Sequence, residues 1–172
     1  LEKLGYISES IQIAEKCIHA DKNDLGMLSL YIDTLFESGQ MSQAREQLQS
    51  WNKLKQDHPH PFGDIVDNLL SVMEENELAE DDLVRIQSAV TELIRDREMI
   101  FYEPVVSTYN EDGHLSFHCQ YYIPEPHGTA VEMNETLSMK LAEAGVPPTH
   151  TLIWTPSFTT SKGILQRGHH TG

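Results

Sequence analysis

Basic residues are scarce in this chain. Lys and Arg number 12 against 27 Asp and Glu in 172 residues, a formal net charge of −15. Nucleic acids are held chiefly by Lys and Arg that neutralise phosphates, so this deficit argues against a nucleic-acid target, and against an anionic membrane surface for the same reason. Between Lys55 and Arg85 there is no basic residue, while nine acids run from Asp57 to Asp82. Such a run is a solvated acidic face that can also steer basic partners toward it. Long apolar runs are missing too. None approaches the ~18–20 residues that span a bilayer, and no stretch has the charged-then-apolar pattern of a signal peptide. Cysteine is limited to Cys17 and Cys119, far apart in sequence. Cys17 falls on an apolar helix face and Cys119 in a strand pattern, so the expectation is free buried thiols in a reducing, cytoplasmic setting rather than a disulfide. What remains, 39% hydrophobic and 23% charged residues, is the composition of an ordinary folded chain.

What is present is an internal repeat. Gly5 and Gly39 stand 34 residues apart, and Gly5-Tyr-Ile-Ser-Glu-Ser10 aligns with Gly39-Gln-Met-Ser-Gln-Ala44 without a gap. Each block opens a helical pattern, Ile11, Ala14, Cys17 and Ile18 in the first and Ala44, Leu48 and Trp51 in the second. Spacings of three and four give one buried stripe per helix. Ser8 and Ser42 occupy equivalent places and are expected N-caps. Between the blocks, Asp24 is the expected cap of a helix carrying Leu28, Tyr31, Ile32, Leu35 and Phe36, which Gly39 ends in a left-handed turn.

This pattern resembles the tetratricopeptide repeat family over roughly residues 1–56. Gly5 to Asp24 looks like the second helix and exit turn of one repeat, and Leu25 to about Lys55 like a complete next repeat. Ser10 and Cys17 stand where the family prefers alanine, Trp51 is bulky at another such place, and Lys22 replaces the usual proline. In this register Leu1–Leu4 would be the last turn of a first helix, which implies repeat sequence upstream or an unusual cap. The resemblance also implies a peptide-binding groove lined by the first helix of each hairpin. Carried onto residues 25–38, its groove side is Ser29, Asp33, Phe36 and Glu37, with Phe36 as an apolar contact and the two acids favouring a basic or neutral ligand. Ser29 and Asp33 do not match the Lys and Asn with which some members clamp a terminal carboxylate.

Beyond the repeats, His58-Pro-His-Pro61 breaks the helix, with Pro61 expected in the first turn of the next one. That helix carries Phe62, Ile65, Val66, Leu69, Leu70 and Met73. A longer helix over 80–98 follows, with acids at its start and Arg95 and Arg97 near its end, and the pair is expected to cap the stack, the alternative being a degenerate third hairpin. After about residue 99 the texture turns aromatic and β-branched. Residues 99–109 and 114–123 predict a hairpin around Asn110-Glu-Asp-Gly113, with Leu115, Phe117, Cys119 and Tyr121 on one side. Residues 130–144 predict a helix through Val131, Leu137 and Leu141, and 151–158 a third strand before a polar tail. The expected fold is α+β, with antiparallel helical hairpins over 1–98 followed by a small β-β-α-β unit over 99–172.

Chemistry finds little support. His114 and His118 are four apart, a span of ~13 Å along a strand and too far to share one ion. His58, His60, His169 and His170 lack ligand-spaced companions and read as surface or turn residues. His118 and Cys119 point to opposite faces of a strand. No serine lies in a nucleophile-elbow pattern, and no glycine loop reads as a phosphate cradle. No catalytic residue, metal site or cofactor is therefore expected within this span. The sequence predicts a scaffold that binds a protein or peptide, with a preference for basic ones. The alternative is a regulatory or substrate-recruiting part of a larger enzyme, and a third reading has the strands pairing with another chain at an open sheet edge.

Overall fold

Helix-forming signals fill the first part of the chain and strand signals the rest, and the structure, a computed structural model, keeps that order. It describes residues 5–55, 57–102, 104–111 and 114–160. Five helices come first: α1 (Ile7–Ala20), α2 (Leu25–Glu37), α3 (Met41–Leu54), α4 (Gly63–Glu75) and α5 (Glu80–Asp96). Then come β1 (Val105–Glu111), β2 (His114–Ile123), α6 (His127–Glu143), α7 (Pro148–Ile153) and β3 (Trp154–Thr160). This is the expected α+β class with a helical N-terminal region. Contacts divide the chain into two compact units, Tyr6–Ser88 and Ala89 onward with Gly5, so that the division falls inside α5.

In the first unit α2 is the central element. Leu28, Tyr31, Ile32, Thr34, Leu35, Phe36 and Glu37 are all buried, so the helix is covered on most of its circumference. Its start is fixed as expected: Asp24 Oδ1 accepts the Met27 N–H at 3.0 Å. Its end is fixed by Gly39, whose φ of +82° lets the Gln40 N–H reach back to the Leu35 carbonyl at 3.0 Å. Glycine is required there twice over, because a Cβ on Gly39 would lie 2.9 Å from the backbone of Leu83. α1 and α3 pack on either side of α2, and α4 packs on α3.

The two serine caps are corrected. Ser8 lies inside α1, and Tyr6 ahead of it supplies no side-chain cap. Ser42 lies inside α3, and its N–H and hydroxyl both donate to the Glu80 carboxylate, at 2.8 and 2.7 Å. The anion at the start of α3 therefore comes from 38 residues away, where no local pattern reveals it. Pro61 also falls outside its helix, since Phe62 is the N-cap of α4. Cys17 is half-buried rather than buried, whereas Cys119 is fully buried, and both thiols are free.

The second unit is a three-stranded sheet in the order β1-β2-β3, with β1 antiparallel and β3 parallel to β2. Period-two alternation in β2 buries Phe117, Cys119 and Tyr121 on one face, as expected, and adds Ile123, while Leu115 at the strand's start is only half-buried. Trp154 and Phe158 of β3 extend that apolar face, and α6 adds Ala130, Met133, Leu137 and Leu141 to the core. Val131, expected on the buried stripe, is 43% exposed, because the stripe runs through Ala130 and Met133 instead. The hairpin register sets Glu111 opposite His114, while Asp112 and Gly113 of the expected turn lie outside the described residues. Thr151–Ile153, expected as strand, belong to α7, for which Pro148 provides the first turn.

Candidate functional site

The groove residues carried over from the repeat register lie on one face of α2, and most of that face is covered by the chain's own segment before α4. Phe36 is 0% exposed and stacks on Phe62 with ring centroids 4.3 Å apart and planes 8° apart. Glu37 is buried as well. Ser29 and Asp33 remain partly exposed, and both meet His60, whose Nε2 lies 3.1 Å from Ser29 Oγ and 3.6 Å from Asp33 Oδ1. Phe36 is therefore a core residue of this unit and not the open apolar contact expected of a groove.

His60 itself is the residue that sequence reasoning missed. Flanked by two prolines, it reads as a turn histidine, yet it is buried. Trp51 explains why. The indole Nε1–H donates to the His58 carbonyl at 2.9 Å, and the ring meets the His60 imidazole edge-on at 5.0 Å. The bulk that departs from the repeat pattern at Trp51 thus anchors residues 58–62 on the helices. The Phe62 N–H donates to His60 Nδ1 at 3.3 Å, so the neutral ring carries its proton on Nε2 and donates it toward Ser29. Burial pushes the His60 pKa below its usual value, since the site disfavours the charged ring more than Asp33 favours it.

On the other side of α2 the helices leave an open pocket of about 410 Å³. Tyr31 of α2 lines it, with Glu15 of α1 and Glu46 and Gln47 of α3 among its walls and His19 and Lys22 among its lining residues. The Tyr31 side chain is largely buried, at 7% exposure, while its hydroxyl makes no hydrogen bond to another described residue. Burial raises the phenol's pKa, and the Glu15 and Glu46 carboxylates raise it further. The phenol and both carboxylates line the same pocket. Nothing in the sequence marks this arrangement: Glu15 and Glu46 are not equivalent positions of the repeat, and Tyr31 reads only as core.

In the second unit an open cleft of about 420 Å³ runs beside α6, α7 and β3, its walls largely apolar through Leu137, Leu141, Val146 and Leu152. On the sheet face away from the core, His118 Nε2 and Ser157 Oγ are 2.7 Å apart. A serine next to an imidazole is half of a nucleophile pair, but no described carboxylate orients this ring, and the contact is a cross-strand hydrogen bond. Among the described residues no group of three or more His, Cys, Asp or Glu is placed to hold a metal ion, and no helix is long and apolar enough to cross a membrane. Comparison with protein-family models, curated proteins and solved structures gives no match.

Proposed function

We propose that the helical unit is an interaction module of tetratricopeptide-like character that binds a protein or peptide partner, with basic partners preferred. The observation that supports this reading most is the pair of glycines 34 residues apart, both at positive φ (+77° and +82°), each opening a helix that packs against α2. Hairpins stacked in this way bury a continuous core through their neighbours and leave rows of outward side chains for a ligand. The charge of −15, with no Lys or Arg between Lys55 and Arg85, supports the preference for basic partners. Ser29 and Asp33 keep part of the carried-over face accessible, whereas Phe36 and Glu37 serve the core. A partner therefore has to use surfaces beyond the face that His60 and Phe62 cover.

The test is a peptide-display selection on the whole chain at moderate salt. Enrichment of Arg- or Lys-containing peptides whose affinity falls as salt rises is the expected result. If no peptide is enriched over a blank surface across independent libraries, the module reading fails.

A further inference from the structure

We propose that the pocket between α1, α2 and α3 is a binding site for a cationic side chain, the guanidinium or ammonium group of a basic peptide. The inference rests on the interaction-module reading and assigns it a place. Two carboxylates, Glu15 and Glu46, reach the pocket from α1 and α3, the helices on either side of α2. Neither has an ion pair to another described residue. Acids on a surface do not make a site. What distinguishes these two is the group between them: Tyr31, more than nine-tenths buried, presents a hydroxyl that no described residue binds. The ring is packed in the core while the oxygen, bound by no described residue and not itself shut off from solvent, is left to the pocket that Tyr31 lines.

The three groups together are suited to one chemistry. A phenol oxygen accepts a hydrogen bond, two carboxylates accept several, and a planar guanidinium presents five donors in a fixed fork. Gln43, Gln47 and Ser50 on the same wall add neutral donors and acceptors for a peptide backbone. The His19 Nδ1–H is already engaged, donating to the Glu15 carbonyl at 2.8 Å. Lys22 brings an opposing charge to the lining, on a flexible exposed side chain with no ion pair to a described residue. It can swing away from an incoming cation or meet a carboxylate on the same peptide. The site is remote from the α2 face expected from the repeat register, since Tyr31 lies about 200° around the helix from both Ser29 and Asp33.

The experiment titrates the whole ¹⁵N-labelled chain with acetyl-Gly-Arg-Gly-Arg-Gly-amide and, separately, with the same peptide carrying citrulline in place of arginine. Citrulline keeps the shape and removes the charge. The arginine peptide is expected to shift the amides of Glu15, Tyr31, Glu46 and Gln47 in a saturable manner, and the citrulline peptide to leave them still. Glu15→Gln with Glu46→Gln should weaken binding about tenfold, and Tyr31→Phe about threefold, as expected for losing charge-assisted and single hydrogen bonds. Lys22→Ala should strengthen it. Equal shifts with citrulline, unchanged affinity in the double variant, shifts confined to the acidic run 57–82, or no shifts at all would each overturn the pocket. None of those results touches the display selection, which reads binding at any surface, so the two readings fail separately.

Discussion

His60 shows how one side chain couples the first unit's stability to pH. Its Nδ1 accepts the Phe62 N–H at 3.3 Å, and a proton added there would set two donors against each other in a buried site. Asp33 at 3.6 Å pulls the other way and does not prevail, because burial leaves the pKa below its usual value. The sign follows from linkage. The unfolded chain takes up a proton near pH 6.5, the ordinary histidine value, and the folded chain only at a lower pH. The contribution is therefore fully present above about pH 6.5 and is lost as pH falls toward the folded pKa. Urea midpoints of the wild type should hold between about pH 8 and 7 and decline below about 6.5, with His60→Gln showing a shallower decline. Identical pH slopes for the two chains would remove His60 from this role. The same residue marks a limit of legibility. A Pro-His-Pro segment says turn, and only the docking of His58 and His60 on Trp51, a contact between segments several residues apart, says buried.

At the level of elements, patterns of period 3.6 and period 2 were legible and contacts made at a distance were not. The glycine spacing, the Asp24 cap and the alternation of β2 could be read from neighbours in sequence, since each is local. The anchoring of α3 by Glu80 and the covering of Phe36 by Phe62 could not, because each partner sits far along the chain. Pro147 and Pro148 read as the end of a helix and also begin α7, so the third strand starts later than its β-branched residues suggest. The outer edge of β3 is another contact of this kind. The Asn134 carboxamide accepts the Phe158 N–H at 2.8 Å and donates to the Phe158 carbonyl at 2.9 Å, standing in for a neighbouring strand. Two residues earlier, Pro156 has no N–H to offer, and the Trp154 N–H is held by His150. An edge closed in this way resists pairing with a second chain. Asn134→Ala leaves both Phe158 groups unmatched. It should cost about 1–3 kcal/mol in urea unfolding read at Trp154, and raise concentration-dependent light scattering. A variant as stable and as monodisperse as the wild type would show that the carboxamide is dispensable.

For the whole molecule the informative feature is that α5 belongs to both compact units, which divide between Ser88 and Ala89. Leu83, Ile86 and Gln87 are buried before the division, and Ala89, Val90, Leu93 and Ile94 after it. Half of a 17-residue helix is too short to persist alone in water, so loss of order in either half withdraws support from the other. The two units should therefore unfold together. The chain carries a reporter for each, since its two tryptophans are Trp51 in α3 and Trp154 in β3, both buried. Trp51→Phe leaves emission from the second unit alone and Trp154→Phe from the first. Each reporter is then compared with the helical circular dichroism of its own variant, so that any cost of the substitution cancels. Coincident midpoints are expected in both chains. Adding Ser88→Pro, at an exposed position in the middle of α5, removes a helical hydrogen bond and should lower stability by about 3 kcal/mol or more. Because the helix is shared, the two reporters should move by the same amount. If one tryptophan kept its original midpoint while the other shifted, α5 would not couple the units, and each would stand on its own core.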